Sequence, residues 1–358
     1  MKKLLMLSLL LLIINPVYLV HAGEQGLVTP GFYEKPDWFK QSFLDLGEDL
    51  EDANADNKII FLYFHQNGCP YCKKLLDDNF TNKEIVSKMK QHFEVLEINM
   101  WGDRPVTLFN GQEISEKNFA RQMKVMFTPT LIALDSQGKS LFRMNGYYAP
   151  DKFTIVLDYL LELQQKRASN SETIPTFKAY YQQRLAEKQT AQSKLSGLHK
   201  EKFIYQGNNL QTLIKSSQRP VMLLFEQSNC PECSELHGDV FRRLPVYKKL
   251  KQFTIAQVDI NSPEKIVTPD GKIMSQSDYA EQLNIQFTPS IYFFGEGQKG
   301  AKHEPVFRSE AYLKSFHLQV LFEYILSKAY LKEPEFQRYV QQYADTQREQ
   351  GKAVDLWK

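Results

Sequence analysis

The tightest constraint on this chain is a stretch that occurs twice. In the first copy, Phe61-Leu62-Tyr63-Phe64 runs into His65-Gln66-Asn67-Gly68 and then Cys69-Pro70-Tyr71-Cys72. In the second, Val221-Met222-Leu223-Leu224-Phe225 runs into Glu226-Gln227-Ser228-Asn229 and then Cys230-Pro231-Glu232-Cys233. Each copy is an apolar, β-prone run, a polar turn and a segment that reads as helix, with two cysteines at the join. A helix N-terminus presents unpaired N–H groups and the positive end of its dipole, which favour a thiolate at the first cysteine. The thiolate is the form that attacks disulfides. The second cysteine, one turn along, is placed to close an internal disulfide and expel a bound partner.

Cysteine usage sharpens this. The chain has 358 residues and 4 cysteines, all of them in these two pairs. An exported protein built on structural disulfides would spread cysteines between distant segments. A net charge of +2 gives no reason to expect nucleic acid or a membrane surface as a partner. The length suggests two domains, and 42% hydrophobic residues suffice for two cores. Lys2 and Lys3, the apolar stretch 4–14 and Val20-His21-Ala22 read as a signal peptide over 1–22, cut ahead of Gly23. The apolar stretch is shorter than the roughly 20 residues a span requires. A periplasmic or secreted protein with no stable membrane insertion is therefore expected, with an uncleaved anchor as the rival.

The remaining pattern also repeats. Phe39, Phe43, Leu46 and Leu50 have helical spacing over 38–50, a central strand is expected at 59–64, a helix from Cys72 to about Asp78, and a strand at 92–100. The stretches 99–115 and 259–275 hold Asn110-Gly111 and Asp270-Gly271, which are hairpin turn signals. Short helices at 115–126 and 275–283 follow. Strand pairs are expected at 131–134 with 141–144 and at 291–294 with 306–308. Phe153, Val156, Leu157, Leu160 and Leu161 mark a closing amphipathic helix. An extra helix ends each repeat, with Phe177, Tyr180 and Tyr181 on its apolar face in the first and Phe336, Tyr339, Val340 and Tyr343 in the second. Such a face either caps its own domain or forms an interdomain or partner surface. The organisation is then 1–22 signal, 23–187 first domain with helical extension, 188–200 polar linker, and 201–358 second domain with helical extension.

Downstream of the two cysteine pairs stand Phe127-Thr128-Pro129-Thr130 and Phe287-Thr288-Pro289-Ser290. Together with the Cys-x-x-Cys segments, these resemble the thioredoxin superfamily, in which a cis-proline loop lies against the cysteine helix and presents backbone groups to an extended substrate. The 17-residue stretches with the hairpin turns are similar to an insertion in exported bacterial thioredoxin-like proteins, including those linked to sulfur oxidation and the thiol-reducing periplasmic thioredoxins. The resemblance implies an α/β fold of two tandem thioredoxin-like domains, each a mixed central sheet flanked by helices, with an extra C-terminal helix per repeat. It implies Cys69 and Cys230 as nucleophiles, Cys72 and Cys233 as resolving cysteines, and Thr128, Pro129, Thr288 and Pro289 at the substrate. No cofactor beyond the cysteine pairs is implied. The implied partners are protein thiols and disulfides, and a membrane thiol-electron transporter. The chain departs from the family at the buried acid six residues before the first cysteine, where it has Tyr63 and Leu224. Base assistance would then fall to Glu226 or to a water.

The neighbours of the two pairs differ. Tyr71 lies inside the first, with His65, Lys73 and Lys74 nearby. Glu232 lies inside the second, with Glu226 and Glu235 nearby. Cationic neighbours lower a thiol pKa and carboxylates raise it. On local charge, Cys69–Cys72 is expected to have the lower nucleophile pKa and to be the stronger oxidant. The plainer readings are a hydrogen-bonded loop histidine, a solvated lysine face and a quiet second disulfide. Zinc ribbons space their cysteine pairs by roughly 15–20 residues, far less than the gap from Cys72 to Cys230, so no metal site is expected. Thiolates suit Cu(I), but no Met/His-rich run accompanies them. The function expected is an exported thiol–disulfide oxidoreductase, favoured as a reductase. A disulfide isomerase or oxidase is one alternative, and a non-catalytic substrate-binding or metal-chaperone module is another.

Overall fold

The central strand of each half sets the architecture. All seven residues of β1 are buried, so one strand face must meet helices on each side, which is why the run shows no polar alternation. The computed structural model describes residues 33–169, 175–188, 197–297, 300–301 and 303–356. The expected signal at 1–22 and the linker residues 189–196 lie outside the described residues.

The first half runs α1 (Leu46–Ala55), β1 (Ile59–His65), α2 (Pro70–Lys74), a wider π-helical turn (Leu75–Asn79), α3 (Lys83–His92), β2 (Phe93–Asn99), β3 (Pro105–Thr107), β4 (Glu113–Ser115), α4 (Glu116–Gln122), β5 (Thr130–Leu134), β6 (Ser140–Asn145), α5 (Pro150–Ala168) and α6 (Phe177–Lys188). The second runs β7 (Ile204–Tyr205), α7 (Leu210–Ser216), β8 (Val221–Glu226), α8 (Pro231–Gly238), α9 (Leu244–Leu250), β9 (Thr254–Asp259), β10 (Lys265–Val267), β11 (Ile273–Ser275), α10 (Gln276–Gln282), β12 (Ser290–Gly295), β13 (Glu304–Ser309), α11 (Ser315–Leu326) and α12 (Phe336–Glu349). The main sheets are ordered β2-β1-β5-β6 and β13-β12-β8-β9-β7. In each, the central strand pairs in parallel with the strand after the cysteine helix and antiparallel with the strand after the Thr-Pro loop. Phe61 and Tyr63 face the core shared with α5, while Ile60, Leu62 and Phe64 face α1 and α4.

Two expectations need correction. Residues 38–45 are not helical, and Phe43 is 99% exposed. The helix begins at Leu46 because the Asp45 carboxylate accepts from Gly47 N and Glu48 N, a cap that decides the start against the apolar spacing. The helix after Cys72 widens at Leu75–Asn79, where buried Asn79 donates to Tyr148 O. The second sheet also gains β7, whose two residues are too few to show a period.

The extra helices do both jobs proposed for them. Phe177 of α6 is buried in the first core, against Phe287 of the second half (5.2 Å between centroids). Phe336 of α12 is buried in the second core, against Phe127 of the first half (5.6 Å). Each Phe-Thr-Pro phenylalanine is thus seated in the other half's core. Phe287 also meets Tyr148 at 4.4 Å, and Phe127 meets Phe307 at 5.9 Å. Where the halves touch, a Cβ on Gly146 would lie 2.8 Å from Ala311 Cβ, and φ at Gly146 is +86°. Only glycine fits both the approach and the backbone. Among the described residues, no helix is long and apolar enough to cross a membrane.

Candidate active site

Cys69 is the N-cap of α2 and Cys230 that of α8, each followed by proline at the first helical position. Proline suits that place because its φ is preset and its missing N–H would be unpaired there anyway. Cys69 Sγ accepts from Cys72 N at 3.1 Å, and Cys230 Sγ accepts from Cys233 N at 3.1 Å. Each sulfur that would carry charge in the dithiol therefore already faces a helix-terminal N–H. Both pairs are closed disulfides, with Cα atoms 5.2 Å apart.

The Thr128–Pro129 and Thr288–Pro289 bonds are both cis. Thr128 Oγ1 donates to Cys69 Sγ at 3.3 Å, and Thr288 Oγ1 to Cys230 Sγ at 3.4 Å. The next hydroxyls, Thr130 and Ser290, donate back to Phe127 O and Phe287 O at 2.7 Å and hold the loops in shape. Each cysteine pair and its own Thr-Pro segment therefore form one site.

The charged neighbours are placed differently from a reading of local sequence. His65 is buried, with Nε2 3.0 Å from Glu97 Oε1. Burial alone would raise the Glu97 carboxyl, but hydrogen bonds from His65 and Lys35 hold it at about 2. Lys73 and Lys74 turn outward to Asp77 (2.5 Å) and Asp78 (2.7 Å). In the second half Glu226 is fully buried and accepts from His237 Nε2 at 3.1 Å and Gln257 Nε2 at 2.5 Å. Glu235 pairs with Lys314, and Glu232 with Lys152 of the first half at 3.0 Å. Every one of these charges has a partner of its own. Asp77 and Asp78 lie one helical turn from Lys73 and Lys74, whereas Glu97, Lys152 and Lys314 sit at sequence distances where a local reading cannot see them.

The other half of the chain covers each pair. Cys69 is 2% exposed and Cys230 4%. Cys69, Pro70, Tyr71 and Thr128 line a cavity of about 30 Å³ whose far wall is Tyr312, Leu313, His317 and Gln337. Tyr71 meets the His317 ring edge-on at 5.1 Å and accepts from Lys314 N at 3.4 Å, and burial pushes its phenol up. Gln66 Nε2 donates to Gln337 Oε1 at 3.0 Å. At the second pair, Lys152 Nζ reaches Glu232 across the rings of Tyr148 (5.4 Å) and Phe287 (5.3 Å). Sequence reasoning did not single out Lys152, His317, Gln337 or a role for Phe127 and Phe287. Repeat register was the available signal for the first two, since Lys152 precedes Phe153 as His317 precedes Leu318 on the matching helices.

Fold and site together define a class: paired α/β domains, each with a Cys-x-x-Cys at a helix N-terminus against a cis-proline loop. The chain belongs to the thioredoxin-like domain family, whose model matches residues 46–161 and 208–318. With two such pairs, it is a thiol–disulfide oxidoreductase. Similar solved structures include a thioredoxin-fold protein from Helicobacter pylori, 27% identical, covering 37% of this chain and 82% of that one at a TM-score of 0.29. A DsbH oxidoreductase is 21% identical and covers 37% and 92% at 0.28. A thioredoxin from Thermus thermophilus is 19% identical and covers 36% and 94% at 0.28. No curated protein matches the chain.

Proposed function

We propose that the protein works outside the cytoplasm as a reductase of protein disulfides, recharged by a membrane thiol transporter. Export is supported by the charged start, the apolar stretch 4–14 and the cut site before Gly23. The observation that carries the chemistry is the N–H of Cys72 and of Cys233 on the sulfur of the preceding cysteine. In the reduced pair, Cys69 or Cys230 attacks the substrate disulfide and forms a mixed disulfide, releasing one substrate thiolate. Cys72 or Cys233 then attacks that bond, releases the second thiolate and closes the internal disulfide. Two electrons pass to the substrate. The donor direction is supported by the first half's own charges around Cys69. Uncompensated cations would stabilise its thiolate and make the pair a strong oxidant, but Lys73, Lys74 and His65 are each matched by a carboxylate.

The test is to trap partners with Cys72→Ser and Cys233→Ser and to read the state of both pairs in cells by thiol labelling. Pairs held mainly as dithiols, with mixed disulfides to exported proteins, are the expected result. Pairs fully oxidised at steady state would make the protein an oxidase instead.

A further inference from the structure

The two closing helices carry a basic residue at the same repeat position, and each sends it into the other half. His317 of α11 lies against Tyr71, inside the first Cys-x-x-Cys. Lys152 of α5 pairs with Glu232, inside the second. His317 is 6% exposed, and its Nδ1 has no hydrogen-bond partner. It shares with Cys69 the cavity of about 30 Å³, the volume that one water takes up in the liquid. On its other side it borders an interdomain cleft of about 280 Å³, with Gln66, Trp101, Arg338 and Arg348. The first half's own basic residues near Cys69 are committed elsewhere, His65 to Glu97, Lys73 to Asp77 and Lys74 to Asp78.

We propose that each half of the chain supplies the basic residue that sets the acidity of the other half's cysteine pair: His317 for Cys69, and Lys152 for Cys230. The proposal rests on the reading that the pairs cycle between disulfide and dithiol. When a protein dithiol reduces Cys69–Cys72, that S–S bond breaks and the donor's S–S bond forms. Two electrons and two protons reach the pair. The Cys69 proton passes to His317 Nδ1, directly or across one water, leaving a thiolate beside an imidazolium. When Cys69 attacks the next disulfide, the departing thiolate takes that proton.

The surroundings of His317 suit this part. Burial pushes it down to about 4 while the pair is a disulfide, so it meets the incoming proton as a neutral base. Tyr71 faces it from α2, Tyr312 shares the small cavity, and Lys314 near its helix start is paired with Glu235. Arg338 and Arg348 border the outer cleft from α12 and oppose its protonation, whereas a thiolate at Cys69 favours it. Lys152 is faced by Glu232, Tyr148, Tyr181 and Phe287. There it offsets the carboxylate that would otherwise raise the Cys230 thiol.

The experiment uses the full chain with both pairs reduced. The rate of alkylation by iodoacetamide is followed against pH at Cys69 and Cys230 separately, by peptide mass spectrometry. His317→Gln removes the base, and His317→Phe does so while keeping a ring on Tyr71. In both, the Cys69 midpoint should rise by about one pH unit, a tenfold loss of thiolate below the midpoint, with Cys230 unchanged. Lys152→Met should give the reverse pattern. A variant that merely loosens the interface changes the plateau rate and leaves the midpoint where it was. An unchanged Cys69 midpoint in either His317 variant, or a joint shift of both cysteines in any one variant, overturns the proposal. Because acidity is read without turnover, such a failure leaves the thiol–disulfide function intact.

Discussion

Four residues before each first cysteine stands a buried polar group, and the two copies satisfy it in opposite ways. His65 on β1 meets Glu97 on β2, whereas Glu226 on β8 meets His237 on α8 and Gln257 on β9. A buried charge without a partner is costly enough that either arrangement is tolerated and a lone group is not. Glu97 carries a measurable consequence. Its carboxyl is held at about 2, below the ordinary 4.5, so its contribution is complete above 4.5 and is lost as the pH falls through 2. After allowance for solvent screening, the loss is about 1–2 kcal/mol. Chemical denaturation at pH 5.5 and pH 3 should show the wild type losing about that much more than Glu97→Gln. An equal loss in both would mean that the His65 and Lys35 bonds do not persist in solution. At this scale the cysteines, the Thr-Pro segments and the buried position itself were legible. The partners were not, because cross-strand pairing joins residues far apart in sequence.

At the scale of elements, caps and turns decided boundaries that periodicity left open. Asp45 started α1 late, and Gly111 and Gly271, at φ +78° and +87°, turned the two hairpins where Asn-Gly and Asp-Gly were read. Each hairpin is then tied down by one side chain. Glu116 is 1% exposed and accepts from Asn99 N, Arg104 N and Arg104 Nη2. In the second copy Gln276 accepts from Asp259 N at 2.7 Å from the same place. Glu116→Leu should cost about 2–3 kcal/mol, because it leaves backbone donors unpaired. Glu116→Gln, the choice made by the second copy, should cost under about half of that. Urea denaturation of the three proteins checks the order, and equal losses for Leu and Gln would show that the tie contributes nothing.

At the scale of the whole molecule, the halves are plugged into each other at the loops that border their disulfides. Phe127 and Phe287 lie in foreign cores, and Cys69 and Cys230 are covered by the opposite closing segment. These covers stand in the path of a protein disulfide to either sulfur. Truncating a buried phenylalanine to alanine costs about 3–5 kcal/mol, and every 1.4 kcal/mol taken from closure raises the open fraction tenfold. The double variant Phe127→Ala, Phe287→Ala should therefore alkylate at both reduced first cysteines at least about tenfold faster. Following the rate across pH separates access, read as the plateau, from acidity, read as the midpoint. Unchanged rates would mean that the contacts between the halves do not limit access.

By itself the sequence determined what local chemistry dictates. Two β-prone runs ending in Cys-Pro-x-Cys, two Thr-Pro segments and two Gly turns specify strand, capped helix, loop and hairpin through hydrogen bonds between near neighbours. The repeat, read from the same residues, made the two-domain α/β organisation visible. Only the tertiary structure paired His65 with Glu97, Glu226 with His237 and Gln257, Glu232 with Lys152, and Glu235 with Lys314. It also decided that the second half would carry His317 to the first site and the first half would carry Lys152 to the second. Those outcomes depend on how two apolar surfaces dock, and a phenylalanine next to Thr-Pro does not reveal in sequence whether its ring will be buried in its own domain or in its neighbour.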